Sequence, residues 1–196
     1  DESHVTDDVA NLLIKKIDSL PKETQLILHY GATIGSHFNS KFVSEVLNKD
    51  LISTELALWH AVNKEIIFEN QHKGTNEFGF MHDRIQLAFI DLNKFNSKKT
   101  NVEIGRNLKA KIDNELNIIK TESIINHLNK GTDFLNDKEI IELINMNYEH
   151  GKSMLQKLYG KSAEKFFSTA IELIEENNTN RSDLLLKTYL YKIKAL

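Results

Sequence analysis

The sequence predicts a mainly helical protein with one small β-hairpin, on three observations. Apolar residues recur at helical spacing over most of the 196 residues. One stretch breaks that rhythm: Ile66-Ile67-Phe68, a polar loop holding Gly74, then a second apolar run over 78–81, the form of two short strands and a turn. An amphipathic helix follows without a break, starting near His82-Asp83-Arg84. A hairpin behind three or four helices predicts a winged-helix-like domain over 1–95. The wholly helical remainder, 96–196, predicts antiparallel pairs like those of tetratricopeptide (TPR) repeats, as the start of a longer array.

Thr6 is placed to cap a first helix, with Asp7 and Asp8 in its first turn, where the helix dipole favours acids. Val9, Leu12, Leu13, Ile17 and Leu20 form its apolar stripe. Pro21 opens a second helix at a position where its missing N–H costs little, and Gly35 closes it. A third helix is predicted over 40–48, with Phe42, Val43, Val46 and Leu47 inward. It sits where a helix-turn-helix carries its recognition helix. Ser53 or Thr54 caps a fourth, carrying Leu56, Leu58, Trp59 and Val62.

After the hairpin, Ile85, Ala88, Phe89 and Leu92 define a helix over 83–92. The polar, basic run 93–101, NKFNSKKTN, is the best candidate for a domain boundary. Helices are then predicted over 102–119, 122–128, 137–158, 162–177 and 183–196, with Asn129-Lys130-Gly131 as a C-terminal stop. Gly151, Ala163, Phe167 and Ala170 fall at offsets 0, 12, 16 and 19, the small and aromatic positions of a TPR unit. Glu175 stands where that repeat usually has Pro, and an ordinary helical hairpin is the alternative. A single repeat cannot bury its own apolar face, so the array is expected to continue.

Composition narrows the function classes. The chain is 40% hydrophobic and 27% charged, an ordinary globular balance. With no Cys it has no disulfide, thiol nucleophile or thiolate metal ligand, which fits a cytoplasmic setting. No apolar run approaches the roughly 18 residues that span a bilayer. The acidic start, DESHVTDDVA, lacks the form of a signal peptide, and its first residue is Asp, as expected of a piece of a longer protein. Residues 1–95 hold 14 acidic and 9 basic residues, whereas 96–196 hold 14 acidic and 16 basic. A DNA-binding winged helix presents a basic face, and this one is acidic.

No catalytic set is visible. None of the eight His falls in a zinc spacing, and neither a phosphate-binding glycine loop nor a nucleophile elbow occurs. His29 and His37 straddle Gly31 and Gly35 and share no helix face, while His60, His127 and His150 stand singly, as surface or hydrogen-bonded structural residues do. The predicted third helix offers Ser40, Lys41, Ser44, Glu45 and Asn48 but no Arg, a poor set for reading bases. Met81-His82-Asp83 is the exception. An imidazole at a strand-to-helix junction is held outward and can donate to a phosphate oxygen. Read bluntly, His82 and Asp83 only cap the helix.

Three segments carry a family resemblance. EFGFMHDRIQLAFIDL resembles the F-x-F-x-H-D-R-V-Q-x-A-A-Y motif of the signal-transduction ATPases with numerous domains, the STAND class. INHLNKGTDFL is similar to the H-L-N-x-G segment of one bacterial branch, in which the AAA-type module sits inside large sensor kinases and regulators. LPKETQLILHYGATIGSHFNSKFVSEVL resembles that branch's L-P-x-x-T-x-x-x-L-x-x-A-A-x-x-G-x-x-F segment. The resemblance spans about residues 5–175 and implies a winged-helix plus helical-repeat region behind an NTPase core that binds ATP or ADP. It also implies that His82, beside Asp83, takes the part of the Met-His-Asp histidine that contacts the ADP phosphate.

The expected function is therefore non-catalytic: a regulatory fragment coupling nucleotide state to a helical arm. Its expected partners are the upstream nucleotide-binding domain of the same chain and proteins bound by the repeats, with no nucleic acid and no membrane. The alternatives are a TPR-like interaction scaffold and, behind it, a winged-helix DNA-binding regulator.

Overall fold

The computed structural model describes residues 14–70, 76–91, 94–111, 118–177 and 181–196, with the backbone alone for 118–120. The expectations on Thr6, Asp7, Asp8, Val9, Leu12, Leu13, Gly74 and Leu92 lie outside the described residues. The protein is mainly helical with a small three-stranded antiparallel sheet. It divides into two compact units, Asp1–Thr100 and Asn101–Leu196.

In the first unit, helix α1 covers residues 14–18. Then come α2 (Lys22–Ile34), β1 (His37–Asn39), α3 (Ser40–Val46), α4 (Leu51–Asn63), β2 (Ile67–Asn70), β3 (Glu77–Phe80) and α5 (Asp83–Ile90). The sheet order is β1-β3-β2. Strand β3 pairs with β2, Ile67 opposite Phe80, and on its other edge with β1, Phe38 opposite Phe78. Strand β1 was not predicted: three residues directly behind a helix stop are too few to show alternation. One face of the sheet builds the core. The rings of Phe38 and Phe80 lie 5.5 Å apart and those of Phe80 and Phe89 6.0 Å apart, and Ile27, Leu28 and Leu58 of the same unit are fully buried.

Helix α4 starts two or three residues before the predicted caps. Asp50 is the N-cap, its carboxylate accepting from Ser53 N–H at 2.8 Å. The buried face of α4 is Thr54, Ala57, Leu58 and Ala61, and of the apolar residues the helix carries, Leu56 and Trp59 are 62% and 41% exposed. Helix α3 stops at Val46.

Helix α6 (Ser97–Ala110) also differs from expectation. It begins inside the run read as a boundary and ends well short of residue 119. Asn96 explains the early start, since its Oδ1 accepts from Lys99 N–H at 3.0 Å in the manner of an N-cap.

The second unit continues with α7 (Ile118–Asn129), a 3-10 turn (Thr132–Phe134), α8 (Asp137–Gln156), α9 (Gly160–Glu176) and α10 (Ser182–Ala195). Asn136 and Glu139 form a capping box at the start of α8. Helices α8 and α9 run antiparallel. Ile140 and Ile174 share one core cluster at one end, and Met154 and Ala163 share another at the other. The pair closes where Phe167 lies over Gly151: a Cβ on Gly151 would meet that ring at 2.7 Å, so the approach requires glycine.

Candidate functional site

The junction after β3 is pinned on both sides. Phe80 N–H donates to Ser36 O at 3.0 Å and Met81 N–H to Ile66 O at 3.1 Å. His82 follows in extended conformation (φ −150°, ψ 147°) as the N-cap of α5, and its ring makes no capping bond. Asp83 is therefore the first helical residue and not the cap, which corrects the capping alternative for that residue; its charge still suits the helix dipole. Met81, His82, Asp83 and Arg84 are all exposed. On its inner side α5 is tied to α2 by Gln86 Nε2, which donates to Ala32 O at 2.9 Å. The imidazole thus stands in solvent on a rigid base, free to meet a ligand or surface.

The other described histidines fall into two groups. His37 and His60 are exposed. His29, His127 and His150 are buried. His29 Nδ1–H donates to Phe89 O at 2.8 Å, and its Nε2 accepts from the Thr100 hydroxyl at 3.0 Å. Burial holds its pKa below the usual imidazole value, so the ring is neutral and both nitrogens are used. His127 Nδ1–H donates to Asn101 Oδ1 at 2.8 Å, and burial with help from Lys130 lowers its pKa to about 4. Asn129 and Asn147 exchange two amide hydrogen bonds at 3.0 and 2.9 Å. Within the motif His127-Leu128-Asn129, both polar side chains are therefore structural. The sequence showed the histidine but not its asparagine partner, because the two lie 26 residues apart.

Two clefts were not foreseen. One, of about 720 Å³, is lined in part by Asp18, Lys22, Glu23, Lys49 and Lys94. Its charges largely cancel, with Lys49–Glu23 and Lys94–Asp18 both at 2.7 Å. The other lies in the second unit and contains His150. Among the described residues, no group of His, Asp and Glu could hold a metal ion. Arg106 grips Glu139 with two bonds at 2.7 and 2.8 Å and so lowers that carboxyl's pKa to about 2. Glu139 also belongs to the capping box, so this ion pair is part of the framework.

Family models, curated proteins and solved structures yield no match to this chain. No described helix is long and apolar enough to cross a membrane.

Proposed function

We propose that this chain is a non-catalytic regulatory piece of a STAND-type signalling ATPase of the cytoplasm, passing the nucleotide state of an upstream domain to a helical arm. The observation that carries the reading is the exposed His82 on its pinned junction. The order helix, strand, helix, helix, strand, strand, with β3 central, supports a winged-helix identity for the first unit. A switch of this kind needs contacts that differ between two states. One charge-assisted hydrogen bond from His82 to an ADP phosphate contributes roughly 1.5–3 kcal/mol, enough to move a two-state balance at least tenfold. The test is His82→Ala in the protein containing the nucleotide-binding core. ADP retention should drop and basal output should rise; unchanged values of both end the sensor role.

A second reading makes the helical region a TPR-like scaffold for a protein partner. The antiparallel α8–α9 pair, closed at Gly151 and Phe167, favours it. A defined partner held equally well in the ATP and ADP states would select this reading over the first. DNA binding has less support. In a winged helix the helix before the hairpin enters the groove; that helix is α4, not the helix over 40–48 expected from the sequence, and it exposes Ile52, Leu56 and Trp59 with no Arg. A gel shift at low salt decides it.

A further inference from the structure

The turn between α8 and α9 breaks three local rules at one place. Leu158 is 91% exposed and sits at φ 65°, a backbone region that is costly for a residue with a Cβ. Tyr159 beside it is 60% exposed. The N-terminus of α9 has neither a side-chain cap nor an acid in its first turn, and carries Lys161 there against the helix dipole. The N-terminus of α8 shows the ordinary arrangement, a capping box with Asp137 and Glu139 in the first turn. Departures of this kind gather where a surface serves something other than stability.

The surroundings of the turn are basic. Lys157 and Lys161 flank the pair, and Lys165 lies one turn further along α9. All three are exposed and meet no carboxylate among the described residues. The C-terminal end of α10 lies alongside, since a Cβ on Gly160 would meet Ala195 O at 2.7 Å. That end adds the exposed Lys194 and Leu196. The acid of this segment, Glu164, already faces Lys192 at 3.6 Å. Lys157 and Lys194 suit the C-terminal dipoles of α8 and α10, but Lys161 has no such use.

A protruding leucine and tyrosine ringed by free cations match an anionic lipid surface. A headgroup layer yields to any protruding side chain, whereas a protein partner needs a hollow shaped to it. Tyrosine suits such a boundary because its ring is apolar and its hydroxyl polar, and lysine stems lie along apolar matter while their heads stay with phosphate. We infer that this turn is a docking tip for a bilayer containing anionic lipid. Leu158 and Tyr159 enter the interface, and Lys157, Lys161, Lys165 and Lys194 meet the lipid charges. No described helix is long and apolar enough to cross a membrane, and a tip of this kind needs none. Surface contact thus replaces the expectation of no membrane, which rested on the lack of a spanning segment. It goes beyond both readings of function above and needs neither.

The experiment sediments the whole chain with vesicles of phosphatidylcholine alone, or of phosphatidylcholine with about one-third phosphatidylserine. Binding to the mixed vesicles only, weakening as salt is raised, is the expected result. Leu158→Gly relieves the backbone and keeps the fold, yet should weaken binding roughly tenfold. Lys161→Gln should weaken it roughly fivefold, whereas Lys138→Gln, at the opposite end of α8, should leave it within about twofold. Equal binding to both kinds of vesicle, or none to either, overturns the proposal. So does binding that survives Leu158→Gly or Lys161→Gln, or that falls as far with Lys138→Gln. Poly-glutamate held in place of vesicles, with the same dependence on Leu158, would give the tip to an acidic protein and overturn it too.

Discussion

Each unit buries histidine, and the two treat it differently. In the first, His29 is wholly enclosed and both of its nitrogens are bonded, to Phe89 O and to Thr100. In the second, His127 is bonded to Asn101, while His150 Nε2 beside a cleft has no hydrogen-bond partner among the described residues. A satisfied buried polar group fixes one arrangement of its neighbours, and one without a partner does not. The difference teaches that buried histidine is framework in both units, held more tightly in the first. Their candidates for binding lie on the surface, His82 at a junction in the first and Leu158 at a turn in the second.

Experiments can break or sharpen that contrast. The largest effect should come from apolar packing, which sets the scale. Phe167 is fully buried over Gly151, and Phe167→Ala should cost about 3–5 kcal/mol in urea unfolding followed by ellipticity. Trp59 is the one tryptophan and lies in the first unit, so its fluorescence reports that unit separately.

Next in size is the buried amide pair. Asn147→Ala removes the exchange with Asn129 and a bond to Leu143 O, and should cost about 2–3 kcal/mol by the same assay. A neutral result would mean that the polar layer of the second unit does not constrain it.

Acid should act on both units. His29, His127 and His150 all have folded-state pKa values pushed below 6.5, chiefly by burial. The unfolded chain therefore binds protons that the folded chain refuses. Stability is complete above the ordinary imidazole value and falls as pH drops through it, for His127 down to about 4. His127 alone should remove about 2 kcal/mol between neutral pH and about pH 5. Unfolding midpoints that do not move over this window would contradict the neutral, buried rings.

The smallest effect has the opposite sign. Leu158, 91% exposed in the turn between α8 and α9, sits at φ 65°, a left-handed conformation that strains a residue with a Cβ. Leu158→Gly should stabilise by up to about 1 kcal/mol, visible as a higher melting temperature.

Much of the helical pattern could be read from spacing, because stripes such as Ile140, Leu143 and Ile144 repeat at the period of a turn and end in a packed seam. The hairpin was readable for a related reason, two apolar runs around a polar loop. What spacing left open was the inward face of α4. There the inward face is made by Ala57, Leu58 and Ala61, while the bulkier Leu56 and Trp59 point outward, so residue size misleads. The onset of α6 was hidden because a cap and a first turn made of Asn, Ser and Lys look like loop. As for sites, His82 could be singled out by its place at a junction. The turn at Leu158 could not, because its left-handed backbone and its exposure arise only on folding.

The central strand of the sheet, β3, is also the last of the three in sequence, and β1 and β2 each bond to it. A growing polypeptide on the ribosome can wind α2, α3 and α4 as they emerge, yet neither outer strand has its partner until residues 77–80 are made. Until then Phe38 and Ile67, both buried in the finished protein, await a shared neighbour. A stalled nascent chain ending before Glu77 would be helical, sheetless and sticky, which makes those four residues the committing step of the first unit's synthesis.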